Sequence, residues 1–346
     1  MSDAVLPAPA ERGWGKLLLA LGAFLFIPHL PPLRAMLPVE DTLVLLLPAM
    51  AACALVGWWA GGRLLVAAIW VGVAIGVLSQ PAVPGSFFNL VRGWSLLLAG
   101  TFGLVCLFLP DRPFFSRALT ATSLSLALAL ALGTRGPLTL SRVKVQAQQE
   151  FVRRNVESMT LFRGFATEHP EMKQQMPQLP AMLDEFEGQL KATSESGVSI
   201  APALLLLESL VALALGWATY HRIARTRLGA PLGPLKDFRF NDQLVWGLIA
   251  GLAILFVPAL DFLDAAGRNL LVFFGALYAI RGFGVLSWFM APGAFAATLV
   301  VGFIMLFWPV LNVVAGLGFT LLALAAFGLG LGDTWADWRR RARPTT

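Results

Sequence analysis

Tyr278-Ala-Ile-Arg281-Gly-Phe-Gly284 places an arginine inside an apolar stretch, within the region 242–341. A charged side chain at the centre of a spanning helix costs at least about 2.5–3.5 kcal/mol on insertion scales. It persists where it faces protein or water and finds a partner. Further along, the 38 residues from 295 to 332 carry no charge, and the run ends in Gly332-Asp-Thr-Trp-Ala-Asp-Trp-Arg-Arg-Arg341. A bilayer is the environment that such a pattern fits.

The rest of the chain agrees. Hydrophobic residues make up 57% and charged residues 13% of the 346 positions, where a soluble domain carries about 25% charged residues. The net charge of +6 suits the basic cytoplasmic loops of a membrane protein better than a nucleic-acid surface, so no nucleic-acid partner is expected. Cys53 and Cys106 both fall in apolar segments, which argues against a disulfide framework or metal site. His29, His169 and His221 are far apart. The first apolar run leads into Pro28-His-Leu-Pro-Pro32 and not a small-residue cleavage site, so it reads as a retained span.

A crossing needs about 20 apolar residues. That length predicts ten spans, near 14–30, 42–60, 63–80, 87–109, 114–134, 199–220, 243–260, 269–290, 293–308 and 312–331. The last two come from one run, with Trp308-Pro309 and Asn312 as the turn. With a cytoplasmic N-terminus, the cytoplasmic segments collect fourteen basic residues, among them Arg222, Arg225, Arg227 and the Arg339–Arg341 run. The short outer loops hold three, Arg34, Arg92 and Arg268. This asymmetry predicts both termini inside.

The expected organisation is a membrane half of five spans (1–135), a polar insertion (136–198) on the outer side, and a second membrane half of five spans (199–341). Segment 139–165 of the insertion holds five basic and two acidic residues, and 166–198 holds two basic and six acidic. Val145, Val152, Val156, Met159 and Phe162 share one helix face, as do Leu179, Met182, Leu183, Phe186 and Leu190. His169-Pro170, Pro177 and Pro180 break between them. The pattern predicts a helical hairpin with oppositely charged arms, pairing near Val152 and Phe186. An amphipathic pair lying on lipid headgroups is the alternative.

Catalytic signatures are missing: the chain has no Gly-x-Ser-x-Gly, His-Glu-x-x-His, Cys-x-x-Cys or Walker sequence. No catalytic residue, cofactor or metal ligand is assigned, and the chain is not expected to be an enzyme. Asp261 and Asp264 read as a solvated helix end facing Arg268. Asp333 and Asp337 read as partners of Arg340 and Arg341 at helical spacing. Small residues repeat every four positions at Ala68/Gly72/Gly76, Ala212/Gly216 and Gly247/Gly251, a spacing that lets helix backbones approach or offers a docking face. Two charges remain inside spans, Glu208 and Arg281. They either pair with each other and lock two helices, or line a polar cavity.

The segment Phe238-Arg-Phe-Asn-Asp-Gln-Leu-Val-Trp246, Asn269, the Tyr278–Gly284 helix and the ending Gly330-Leu-Gly-Asp-Thr-Trp-Ala-Asp-Trp-Arg339 together resemble the YybS-like family of predicted bacterial membrane proteins, a domain of unknown function. The resemblance covers about 140 residues at the C-terminal end. It departs at Arg281, where the family tends to carry an uncharged polar residue. More distantly, the family is similar to the membrane-embedded substrate-capture subunits of energy-coupling factor transporters. That similarity implies a small bound solute and, as partners beside the lipid bilayer, an energising ATPase and a coupling membrane subunit. The resulting expectation is an all-α polytopic transmembrane bundle in the bacterial inner membrane. It binds a small polar solute through Glu208, Asn269, Tyr278 and Arg281. A non-transporting scaffold or assembly factor, recruiting partners through the outer hairpin and basic tail, is the alternative.

Overall fold

The computed structural model describes residues 13–82, 86–135, 140–168, 178–224, 226, 228–290, 297–298, 300–302 and 312–341, and every regular element among them is helical. Five helices are long and apolar enough to cross a membrane: Phe87–Phe108, Phe114–Gly133, Leu179–Ile223, Pro258–Phe289 and Gly316–Ala336. Trp14–His29, Leu43–Trp59, Leu64–Leu78 and Asp242–Phe256 are shorter apolar helices. Nine of the ten expected spans thus coincide with an apolar helix. The other, 293–308, lies outside the described residues except at 297–298 and 300–302. The fold is an all-α membrane helical bundle.

The chain divides into two compact units, 1–201 with 205–232, and 202–204 with 233–346. The first contains α1 (Trp14–Phe26), α2 (Pro31–Arg34), α3 (Leu43–Trp59), α4 (Leu64–Leu78), α5 (Phe87–Phe108), α6 (Phe114–Arg135), α7 (Leu140–Glu168) and most of α8 (Leu179–Ile223). At its centre α3 is buried nearly all round, from Val44 to Gly57. Gly216 of α8 sets its backbone against Ala49 and Met50 of α3, where an added Cβ would sit tightly at 3.3 Å. The small-residue stripe on α4 behaves differently. A Cβ on Gly72 or Gly76 would meet nothing within 4 Å, and α4 packs instead through Ala67 and Ala74. The stripe Ala68/Gly72/Gly76 faces outward.

The second arm of the insertion and the sixth expected span are one continuous helix, α8, of 45 residues, about 67 Å long at the helical rise. The ~30 Å hydrocarbon core takes up less than half of it. The polar first part of α8 is the second arm of the insertion, continuous with the span. A helix unbroken through Pro202 has no loop at which that arm could turn flat onto headgroups.

The two arms pair, as their charges require. Arg163 of α7 bonds Asp184 (3.0 Å) and Glu187 (2.6 Å) of α8. Asn155 donates to Ser194 Oγ (2.5 Å) and Leu190 O (3.2 Å). The Phe162 and Phe186 rings meet edge to face at 5.4 Å. The register differs from the expected one: Phe162, not Val152, faces Phe186, and Val152 is 55% exposed. Ala35, Met159 and Leu190 form a small core where the hairpin meets the segment after α2. Glu150 of α7 is part-buried, and burial works to raise its pKa. Hydrogen bonds from Arg153 and Arg154 outweigh that and hold the carboxyl below its ordinary value.

The second unit contains α9 (Val245–Phe256), α10 (Asp264–Phe289), α11 (Asn312–Ala336) and α12 (Trp338–Arg341). Gly251 and Gly267 bring α9 and α10 into backbone contact. Between α10 and α11 the approach is closer still. A Cβ on Gly282 would collide with Ala326 O, and one on Gly330 with Tyr278 O.

Candidate functional site

Arg281 lies eight residues before the end of α10 at Phe289, so about 12 Å from that end. Each nitrogen of its guanidinium has a partner within its own unit. Nε donates to Asp333 Oδ2 (3.0 Å), one terminal nitrogen to Asp242 Oδ1 (2.6 Å) and the other to Asp333 O (3.1 Å). Arg339 reaches the same Asp333 Oδ2 (2.6 Å) and also donates to Lys236 O (2.8 Å) and Phe238 O (3.1 Å). Two cations thus face two carboxylates, with Asp333 fully buried and Asp242 reaching water at 58% exposure. The Phe240 ring caps the arrangement, 5.4 Å from Arg281 Cζ and 5.0 Å from the Tyr278 ring.

This arrangement is a lock. It fastens the lead-in 235–242, the end of α10 and the end of α11 at one place. The expected pairing of Asp333 and Asp337 with Arg340 and Arg341 falls on arginine side chains outside those described; Asp333 bonds Arg281 and Arg339. Asp337 adopts a positive φ of 41°, which ends α11 and turns Arg339 back onto Asp333, while Asp337 itself bonds Arg239 (2.5 Å). Tyr278 is fully buried. Its hydroxyl approaches Thr334 Oγ1 without reaching hydrogen-bond geometry. Asn269 serves the backbone: its Oδ1 accepts from Ala203 N (2.8 Å), the N–H next to Pro202, where the proline ring disturbs the helix ladder.

Glu208 belongs to the first unit. The partners found for Glu208, like those of Arg281, lie in its own unit. Glu208 is 8% exposed, and its Oε2 accepts from Val39 N at 3.2 Å. Its Oε1 is buried with no hydrogen-bond partner among the described residues. The loop that supplies Val39 is held from the hairpin. Arg154 of α7 donates to Leu37 O (2.9 Å) and Pro38 O (3.1 Å), and pairs with Glu150 (2.9 Å) and Glu40 (3.5 Å). Arg34 joins Glu40 to Glu157, both at 2.8 Å. Below Glu208, Ser209 accepts from Trp94 Nε1 (2.8 Å) and donates to Leu205 O (2.6 Å), so that hydroxyl is used.

Of the four candidate residues, Arg281, Tyr278 and Asn269 lie in one unit, where the Tyr278 hydroxyl and Asp333 Oδ1 are buried without a hydrogen-bond partner among the described residues, and Glu208 lies in the other with its Oε1 in the same condition. An open groove beside Ser141, Arg142, Val145, Gln146 and Gln149 includes none of them. Sequence reading missed Asp333, Asp242, Arg339 and Arg154. For Asp333 a signal existed: it is the first charge after the long neutral run that follows Arg281. For Arg154 the four-residue spacing from Glu150 marked that pair, but nothing marked its bonds to the Leu37 and Pro38 carbonyls. Among the described residues no His/Cys/Asp/Glu group could hold a metal ion.

A family profile described as "Predicted membrane protein (DUF2232)" matches residues 24–320 of the chain. The match takes in the end of the first span and the second to fifth spans, beyond the C-terminal region of the resemblance, and it stops short of the Gly330–Arg339 ending. No curated protein and no solved structure matches.

Proposed function

The chain belongs to the predicted membrane protein family DUF2232, and we propose that it binds a small polar solute within its first unit, in a transporter-like manner, at Glu208. The observation that carries this is the buried Glu208 Oε1, which has no partner among the described residues. A buried polar group without a hydrogen bond costs about 1–3 kcal/mol, and a solute N–H or O–H would remove that penalty. The setting supports the reading. Glu208 lies under a loop, 37–41, that is pinned by one arginine from a hairpin outside the span, so access can be controlled without disturbing the bundle. Arg281 is assigned to the lock and not to the ligand. The proposed placement is the bacterial inner membrane with both termini cytoplasmic. The chain has no nucleotide-binding loop, so an ATP-driven cycle would draw on a separate ATPase and coupling subunit.

The test uses the full chain in lipid nanodiscs and three small hydrogen-bond donors: methylammonium, acetamide and glycerol. At least one should raise the melting temperature in the wild type and fail to do so in Glu208→Gln. Equal shifts in both proteins would remove Glu208 from the site. One observation favours the scaffold reading instead: Val152 and Val156 on the hairpin are 55% and 60% exposed, although they lie outside the candidate spans. A partner seated on that face would protect them.

A further inference from the structure

Resting on the reading of Glu208 as the solute site, we propose that Glu208 is also a proton-carrying site, so that each solute bound at its carboxyl releases one proton. An ionised carboxylate offers about four acceptor positions. Here the described residues fill one, from Val39 N at 3.2 Å. Burying an ionised carboxylate with so little compensation is far more costly than burying the neutral acid. A neutral carboxyl needs less: Oε2 keeps its bond to Val39, and Oε1 carries the proton.

The charged group that acts on Glu208 through space is Arg154 from α7. Its guanidinium is committed to Leu37 O and Pro38 O and is faced by the carboxylates of Glu150 and Glu40. Its charge is therefore balanced before it reaches Glu208. The neighbouring hydroxyl, Ser209, is already taken by Trp94 and Leu205, and among the described residues no imidazole or amine is a partner of Glu208. One residue beyond Val39, Glu40 contacts His29 at 3.4 Å, and His29 is 53% exposed. That pair gives a departing proton an acceptor at the surface of the loop.

The exchange balances. The O–H bond of the Glu208 carboxyl breaks, and the proton leaves to water at the loop surface. The carboxylate left behind is matched by the N–H or O–H of the entering solute. Carboxyl groups that gain and lose protons inside spans are a recurring device in pumps and transporters. By linkage, a site that exchanges one proton for one solute binds about tenfold more tightly per unit rise in pH below the carboxyl's pKa.

The experiment has two arms, on the full chain in nanodiscs. Infrared difference spectra across a pH titration should show a protonated-carboxyl stretch at neutral pH that fades on alkalinisation and is missing from Glu208→Gln. Glu208→Asp, which keeps the acid, should retain the stretch at a shifted frequency, and it serves if the glutamine variant fails to fold. A wild-type spectrum without that stretch, or one unchanged in both variants, overturns the proposal. In the second arm methylammonium affinity is measured against pH. A tenfold gain per unit supports proton exchange. Binding that ignores pH overturns it while leaving the solute site standing. A titrating Glu208 with no binding of any of the three solutes overturns the solute reading and keeps the proton site.

Discussion

At the scale of single residues, the two in-span charges are readable from their apolar neighbours, but their partners are not. Arg281 meets an aspartate 52 positions away, and no spacing rule encodes where a chain returns. Removing one member of a buried pair strands the other and costs about 3–5 kcal/mol, whereas removing both is milder. Asp333→Asn should therefore lower the melting temperature of the purified protein, because it leaves Arg281 and Arg339 with Asp242 as their one remaining carboxylate among the described partners. Adding Arg281→Gln should recover part of the loss. Residues that share no partner add within about 0.5 kcal/mol, so Glu208→Gln with Arg281→Gln should be additive. Strong coupling in that second cycle, or none in the first, would contradict the lock. The sequence pattern also made Asp333 and Asp337 look like simple helical pairs. One positive φ at Asp337 ends α11 and brings Arg339 onto Asp333, and a local spacing rule has no access to it.

At the scale of elements, amphipathic spacing and opposite net charge were enough to identify two helical arms and their pairing. They were not enough to set the register, since a slide along two helices by a few turns keeps apolar facing apolar. The Phe162–Phe186 contact and the Arg163 bonds to Asp184 and Glu187 fix it. Cysteines replacing Phe162 and Phe186 should cross-link readily, and cysteines replacing Val152 and Phe186 should not. The reverse yields would mean that the arms slide. The hairpin also carries a pH dependence with a definite sign. The Glu150 pKa is depressed, so its contribution is complete above the ordinary glutamate value and is lost as pH falls through the lower, folded one. Acid should loosen the grip of Arg154 on the 37–38 carbonyls. Proteolysis of the hairpin should therefore accelerate only below the usual carboxylate range, and Glu150→Gln should be fast at every pH. Small-residue stripes were a mixed guide: Gly216 and Gly251 sit at helix contacts, while Gly72 and Gly76 face outward. Spacing alone cannot say which face of a helix turns inward when all its faces are apolar.

At the scale of the whole molecule, hydropathy located nearly every apolar helix, because a bilayer forces backbone groups to bond within each segment. The division near Gly233 was not legible, since it follows from which helices touch. Sidedness within each unit can be checked by parity. In the first unit, the loop between the first two spans touches the hairpin through Arg34–Glu157 and Arg154, which requires an even number of crossings between them; the expected four satisfy this. The same unit joins the segment before α6 to the segment after α8 through Arg117, which donates to Arg112 O and to Leu228 O, both at 2.7 Å. Two crossings with the hairpin opposite fit that contact. In the second unit, Arg281 reaches Asp242 across α9 and most of α10, again an even count. Within each unit parity says which segments share a side, and the proposed inside rests on the fourteen-to-three bias of basic residues. Single cysteines should report both. Cys53 and Cys106 are buried and are replaced first. A cysteine at Gln149 is preferable to one at Glu150, which is engaged with two arginines. Cysteines at Gln149 and Glu185 should react with an impermeant reagent on intact cells, and cysteines at Ala230 and Arg343 only after permeabilisation. Reaction at Ala230 from outside, with Gln149 protected, would invert the orientation and keep the parity. Reaction at both would break the parity and, with it, the crossing count between the hairpin and the second unit.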